Sequence, residues 1–172
     1  MRAIACERVV LEPQLAAHAD EMFVVLGDPA LYEYENEPPA SVDWLRERFA
    51  RLESRRSADG TQRWLNWVVR LRAAGLIGYV QATVFPTGRA AIAYVFASGY
   101  WGRGLGSEAC HAMIAELAER YEVVTVYAIF KRRNLRSARL LERLGFAPTS
   151  AQAVGVDLEA DELLMLRDLT RE

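Results

Sequence analysis

The stretch Tyr100-Trp101-Gly102-Arg103-Gly104-Leu105-Gly106-Ser107-Glu108-Ala109 carries the densest chemistry in the chain: three alternate glycines with an embedded arginine, opening into an amphipathic helical pattern. Glycine lets a backbone turn sharply and approach a ligand closely, and the first N–H groups of a helix have no intrahelical acceptor. A phosphate suits such a junction, and Arg103 adds a fixed positive charge. Spacing narrows the choice. A Walker loop needs Lys and then Ser or Thr after its last glycine, where this chain has Ser107-Glu108. A dinucleotide fingerprint needs its third glycine three residues after the second, and Gly106 follows Gly104 by two. Both of those readings fail, while a plain tight turn between a strand and a helix stays open.

Two further groups of residues could do chemistry. Asn134 precedes an apolar helical run as an N-cap does, and Ser137 stands one turn further on, so the two side chains point the same way. Ser137 is open to two readings, a first-turn helix residue or a reactive hydroxyl. The segment Tyr32-Glu33-Tyr34-Glu35-Asn36-Glu37 interleaves tyrosines with carboxylates, a mixture suited to a cationic or aromatic amine, or simply an exposed loop. Trp64 and Trp67 lie in a hairpin expected to face it, on opposite faces by strand alternation.

The elements that must position these groups follow from periodicity and turn signals. A strand is expected over Glu7 to Leu11, ended by Pro13, then a helix through Leu15, Ala19, Met22, Phe23 and Leu26, stopped by Gly27-Asp28-Pro29. Ser41 caps a second helix with Val42, Leu45, Phe49 and Leu52 as its stripe. Arg63 to Arg72 and Leu76 to Phe85 form an antiparallel hairpin, and a strand from Ala90 to Ala97 runs into the glycine junction. The helix beyond it ends near Arg120. The nearly continuous apolar run Val123 to Ile129 reads as a strand covered on both faces and parallel to the one before the junction. A short helix capped by Asn134 runs to Leu144 with Gly145 behind it, and Phe146 to Val156 and Glu162 to Leu169 form a last strand pair. The fold class is α/β.

Composition sets outer bounds. At 172 residues, with 52% hydrophobic and 26% charged residues, the chain is expected to form one domain, 1–172, with a continuous core. A net charge of −2 provides no broad basic field, so no nucleic-acid partner is expected. Cys6, Cys110, His18 and His111 make no metal-ligand spacing, and no metal is expected. No apolar run spans a bilayer and no signal-peptide pattern opens the chain; the expectation is a cytoplasmic protein without a membrane partner.

The glycine junction together with Asn134-Leu135-Arg136-Ser137, running on to Gly145-Phe146, resembles the GNAT superfamily of acetyl-CoA-dependent N-acetyltransferases, in particular its ribosomal-protein N-terminal acetyltransferase-like branch. Trp101, Gly104 and Gly106 occupy the places of the family's acetyl-CoA motif, and tryptophan in its first place is similar to that branch. The resemblance implies a single-domain, mostly antiparallel sheet with a central parallel strand pair and flanking helices. It also implies acetyl-CoA as co-substrate, with the diphosphate on the amides of Arg103, Gly104, Leu105, Gly106 and Ser107. Pantetheine would pair with the strand near Tyr94, Val95 and Phe96, next to Asn134 and Ser137. Strands that part leave N–H and C=O groups which such amides could satisfy as an added strand would. Lys131, Arg132, Arg133, Arg136 and Arg139 then offer charge along the cofactor's path, or form a solvated basic face.

Acyl transfer to an amine needs a neutral amine, a polarised carbonyl and a proton for the departing sulfur. The N–H groups near Val95 and Phe96 are the expected polarisers, and Ser137 resembles the residue that protonates the sulfur in serine-containing relatives. Two places depart from the family pattern. Leu141 stands where a tyrosine acid is frequent, and Ala90-Ala91-Ile92-Ala93-Tyr94 has no carboxylate where many relatives carry a glutamate base. The base would come from Glu33, Glu35 or Glu37, with Glu35 first, or from water relayed by Asn66, Gln81 or Tyr94. The expected activity is direct transfer, in a ternary complex, to a primary amine of a small molecule or a protein N-terminus, with a homodimer allowed. The alternatives are a non-catalytic acetyl-CoA-binding module and a protein-interaction module.

Overall fold

The computed structural model describes residues 1–34 and 36–170. Its centre is an eight-stranded sheet: β1 (Ile4–Ala5), β2 (Val9–Pro13), β3 (Arg63–Leu71), β4 (Gly75–Val84), β5 (Arg89–Phe96), β6 (Thr125–Lys131), β7 (Ala147–Pro148) and β8 (Glu162–Asp168), in the order β1-β2-β3-β4-β5-β6-β8-β7. Every neighbouring pair is antiparallel except β5 and β6, which are parallel as expected for two strands joined through a helix. The helices are α1 (Ala19–Val25), α2 (Val42–Leu52), α3 (Leu105–Tyr121), α4 (Leu135–Arg143) and the short α5 (Ala151–Val154).

The helices divide between the two faces according to their apolar stripes. Leu105, Ala109, Cys110, Met113, Ile114 and Leu117 of α3, with Leu141 of α4, close over one sheet face against Trp67, Val80, Ala90 and Phe96. Ala19, Met22 and Val25 of α1, with Leu45 and Phe49 of α2, cover the other against Val68 and Leu76. A side chain as fully buried as Met113 or Leu117 stabilises the fold by about 1.5–3 kcal/mol. The Ser41 hydroxyl accepts from the Trp44 N–H at 3.0 Å and Asn134 Oδ1 from the Ser137 N–H at 3.0 Å, so both expected caps are formed.

Two expected strands need correction. The first lies at Val9–Pro13 rather than Glu7 to Leu11, because Cys6 N–H bonds Val9 O and turns Glu7 into a loop. Gln14 N–H reaches Asn66 O, so the missing N–H of Pro13 points away from β3, beyond the end of β1, where no ladder requires it. The expected strand Phe146 to Val156 shrinks to Ala147–Pro148. Pairing ends with the Thr149 N–H on Leu164 O, because Ser150 then caps α5 by accepting from the Ala153 N–H and turns the chain out of the sheet.

What positions the site is a parting of strands. β5 and β6 pair only at Arg89↔Thr125, Ala90↔Val126 and Ala91↔Tyr127. Beyond them β5 stays on β4 to the end of its length, down to Gly78↔Phe96, while β6 continues along β8. At Gly78 the two backbones approach so closely that a Cβ would lie 2.1 Å from Val95 O and 2.9 Å from Phe96 Cα. A glycine inside this strand is therefore what lets the end of β5 draw onto β4 and away from β6. Gly78→Ala is expected to cost about 1–3 kcal/mol or more, since relief must come from backbone movement. Denaturant unfolding measures it, and a midpoint equal to that of the natural protein would contradict the close approach.

Candidate active site

The parted strands leave an ordered row of backbone groups. Phe85 N–H to Arg89 O and Ala97 N–H to Ile77 O bracket a β4–β5 ladder whose register does not slip. Alternation then turns the N–H and C=O of Ala91, Ala93 and Val95 toward β4, and those of Ile92, Tyr94 and Phe96 toward the gap. The polarising N–H expected at Val95 thus faces β4, and the groups facing the gap are those of Tyr94 and Phe96. The Phe96 carbonyl accepts from Trp101 Nε1 at 2.6 Å, which ties the strand end to the glycine loop. A cavity of about 120 Å³ fills the gap, lined by Ile92, Tyr94 and Val95 on one side, Ala128 to Phe130 on the other, and Asn134 and Ser137 above.

The loop after β5 completes this channel. Gly104 takes φ +76°, a left-handed conformation that side chains rarely adopt, as the N-cap of α3, with no side chain capping the helix. The first intrahelical bond is Glu108 N–H to Gly104 O. Among the described residues, no acceptor within the protein binds the N–H groups of 103–107. A Cβ on Gly106 would meet Leu140 at 3.1 Å and Phe96 at 3.3 Å, so this turn packs directly onto β5 and α4. A cleft of about 400 Å³ opens here, lined by Trp101, Gly104, Gly106, Ser107, Arg136 and Arg143 among others.

The loop is braced by a residue that sequence reasoning missed. Arg8 donates from Nη1 to Arg103 O at 2.8 Å and from Nε to Glu108 Oε2 at 2.7 Å, and its backbone N–H reaches Glu108 Oε1 at 2.7 Å. Desolvation pushes the Glu108 carboxyl up, but the hydrogen bonds and charge of Arg8 outweigh it and hold the group below its ordinary value. The one carboxylate in the first turn of α3 is thus neutralised beside the bared amides. No local sequence signal links Arg8 to a helix that begins almost a hundred residues later.

The expected basic cluster is smaller than its sequence. Lys131 is taken by Glu159, Asp161 at 3.1 Å and Glu162 at 3.5 Å, which corrects its assignment to the cofactor path. Arg132, Arg133 and Arg139 are exposed and line none of the cavities described here. Arg136 lies 3.5 Å over the Trp101 ring and faces the cleft, joined by Arg143, while Arg103 stacks on Tyr100 at 5.6 Å.

A second pocket, about 270 Å³, opens between α2, the segment after α1 and the other face of the sheet. It is lined by the carboxamides Gln14, Asn66 and Gln81, the aromatics Tyr32, Trp44 and Phe49, and Glu37 and Arg48. Asn66 and Gln81 are here as expected. Trp64 and Trp67 are not: Trp67 is fully buried on the α3 side with Nε1 on Arg2 O, and the Trp64 indole bonds Gln62. Trp44 from α2 supplies the aromatic wall instead. Leu31 and Val95 line this pocket and also the two small cavities around Ser137, so the chambers abut across β5. Glu35 lies outside the described residues; Tyr34 and Asn36 on either side of it line these cavities. Glu33 is exposed and lines none of them. Among the described residues no cluster of His, Cys, Asp and Glu could hold a metal, and no helix is long and apolar enough to cross a membrane.

The profile of a family described as acetyltransferase (GNAT) domain matches residues 8–147. No curated protein gives a significant sequence match. Among solved structures, the chain is similar to RimL, a ribosomal L7/L12 alpha-N-protein acetyltransferase in complex with coenzyme A, with TM-score 0.80 and 15% identity over 99% of each chain. It is similar to a ribosomal-protein-S5-alanine acetyltransferase from Vibrio fischeri, with TM-score 0.80 and 17% identity over 98% of this chain and 97% of that one. It is also similar to a spermidine N-acetyltransferase chimera from Vibrio cholerae and hSSAT, with TM-score 0.77 and 15% identity over 96% and 98%.

One anchor fixes the segment between the chambers. Asp28 accepts from the Ala30 N–H at 3.0 Å and from the Ser98 N–H at 2.7 Å, joining the turn after α1 to the end of β5. Hydrogen bonding by Ser98, through its hydroxyl and then its N–H, holds the Asp28 carboxyl below its ordinary value. A depressed folded value means that this contribution is full above the unfolded value and is lost as pH falls through the folded one. The stability gap between the natural protein and Asp28→Ala is therefore expected to be constant near neutrality and to narrow in acid below about pH 4. Paired unfolding curves across pH measure it; a gap that widens in acid would contradict the assignment.

Proposed function

The chain belongs to the GNAT acetyltransferase family, and from that premise we propose that it moves an acetyl group from acetyl-CoA to a primary amine held in the carboxamide-lined pocket, by direct attack in a ternary complex. The observation that carries this is the shared wall of the chambers. Val95 borders both the acceptor pocket and the gap between β5 and β6, so amine and thioester can meet across one residue. Cys6 and Cys110 line none of these cavities, which leaves no thiol to carry the acyl group between them.

The fit to acetyl-CoA rests on the bared N–H groups of Arg103, Gly104, Leu105, Gly106 and Ser107, which suit a diphosphate, and on the gap-facing groups of Tyr94 and Phe96, which suit amides lying along β5. Acetyl-CoA supplies the activated acyl group. The Phe96 N–H, preorganised at the end of its strand, is the donor placed to polarise a carbonyl in the gap. Asn134 orders the first turn of α4 and so aims Ser137, whose hydroxyl is the proposed proton donor to sulfur. Glu37 at the pocket draws in an ammonium group. Glu35, on sequence grounds, and water held by Asn66 and Gln81 are the proposed routes for its proton. The acceptor is a small-molecule amine or a protein N-terminus. Binding without turnover is favoured by two observations, the absence of a carboxylate on β5 and the presence of Leu141 on α4.

Release of coenzyme A thiol across amino acids, polyamines, aminoglycosides and N-terminal peptides tests the reading. Turnover with at least one class is expected, and binding without turnover across the panel would overturn it. Ser137→Ala is expected to lower kcat about tenfold or more with acetyl-CoA affinity unchanged, and an unchanged kcat removes Ser137 from the chemistry. Gly104→Asp, which forces a side chain and a negative charge onto the φ +76° cap, is expected to weaken acetyl-CoA at least about tenfold in calorimetry; unaltered affinity would contradict the loop assignment.

A further inference from the structure

Leu141 of α4 is fully buried in the core and α4 contains no tyrosine, so no phenol reaches the site from that helix. A phenol reaches it from another direction. Tyr34, on the segment between α1 and α2, lines both small cavities around Asn134 and Ser137. The side chain is half-buried, and no hydrogen bond occupies its hydroxyl among the described residues. Of its neighbours in the same space, Tyr94 is engaged elsewhere and Ser137 acts beside it. The Tyr94 hydroxyl is directed at the Ser137 carbonyl at 3.4 Å, and burial pushes its ionisation far up. Ser137 offers an aliphatic hydroxyl, a much weaker acid than a phenol.

The placement of Tyr34 is built rather than incidental. The Tyr32 hydroxyl donates to Leu26 O at 2.6 Å, and Asp28 fastens the same turn to Ser98 behind β5. The segment is thus held at two points just before it crosses the mouth of the β5–β6 gap.

We propose that Tyr34 is a catalytic residue, its hydroxyl donating a hydrogen bond to the departing sulfur from the acceptor side of the channel. The inference rests on the acetyl-transfer reading above. In the reaction a C–N bond forms and the C–S bond breaks, its electron pair passing to sulfur. Tyr34 and Ser137 stabilise that charge while the nitrogen gives up its extra proton to the base or water, and sulfur finally takes one proton. No oxidant or reductant is required. Tyr34 sits on the segment that also supplies Tyr32 and Glu37 to the acceptor pocket, so one stretch of chain serves both the amine and the sulfur.

The test reads the sulfur directly. Free coenzyme A is bound to the natural protein and to Tyr34→Phe, its affinity is measured by calorimetry, and ionisation of the bound thiol is followed through thiolate ultraviolet absorbance against pH. A hydrogen bond to the charged form favours it, so the thiol is expected to ionise about tenfold more readily in the natural protein, about one pH unit lower than in Tyr34→Phe, with affinity near neutrality changed little. The kcat is expected to fall with KM for the amine retained. Identical thiol titrations in two proteins that both bind coenzyme A would overturn the role of Tyr34 and leave the acetyl-transfer reading intact. Failure of the natural protein to bind coenzyme A would overturn both.

Discussion

Everything at the site follows from two adjacent strands that stop pairing. A parallel pair normally satisfies its backbone groups strand to strand, yet β5 and β6 do so over only their first residues. The cause is steric and lies one strand away. Gly78 admits the Val95 carbonyl into space that any Cβ would fill, β5 follows β4, and the opposite edge of β5 is left without a ladder partner. A fold leaves such an edge open at a cost of several hydrogen bonds, and an extended ligand with its own amides restores them. In this account the sheet is built incomplete by one short strand.

Charge is arranged in support of that opening. The start of α3 exposes backbone donors and the positive end of a helix dipole, while the glutamate in its first turn is tied up by Arg8. Arg136 on Trp101 and Arg103 on Tyr100 rest on aromatic faces beside the cleft rather than in ion pairs, which leaves their charge available to a phosphate. Lys131, which looks similar in sequence, is spent on three carboxylates. Cations close in sequence thus divide into those resting on rings and those held in ion pairs by what the distant chain brings to them.

That division also explains what could be read from residues alone. The glycine junction, the Asn134 cap, the parallel strand pair and two carboxamides of the pocket beside α2, Asn66 and Gln81, were legible because each depends on local spacing or strand alternation. The last strand pair misled because Ser150 starts a short helix inside the stretch read as a strand, and the Trp64–Trp67 reading misled because Trp67 belongs to the core beneath α3. Arg8 and Trp44 went unassigned for one common reason: their contacts are with elements remote in sequence, which periodicity cannot report. Gly78 did leave a trace, as a glycine inside an otherwise ideal strand, a pattern that signals close backbone approach.

The central claim is that the N–H groups of residues 103–107, together with the gap-facing edge of β5, form one binding surface for coenzyme A. Amide hydrogen exchange resolved by residue, with and without coenzyme A, tests it most directly. Slowed exchange is expected at residues 103–107 and at Tyr94 and Phe96, with Val95, already bonded to β4, slow in both states. Protection appearing elsewhere while these amides exchange as before, or slow exchange at 103–107 without any ligand, would contradict it.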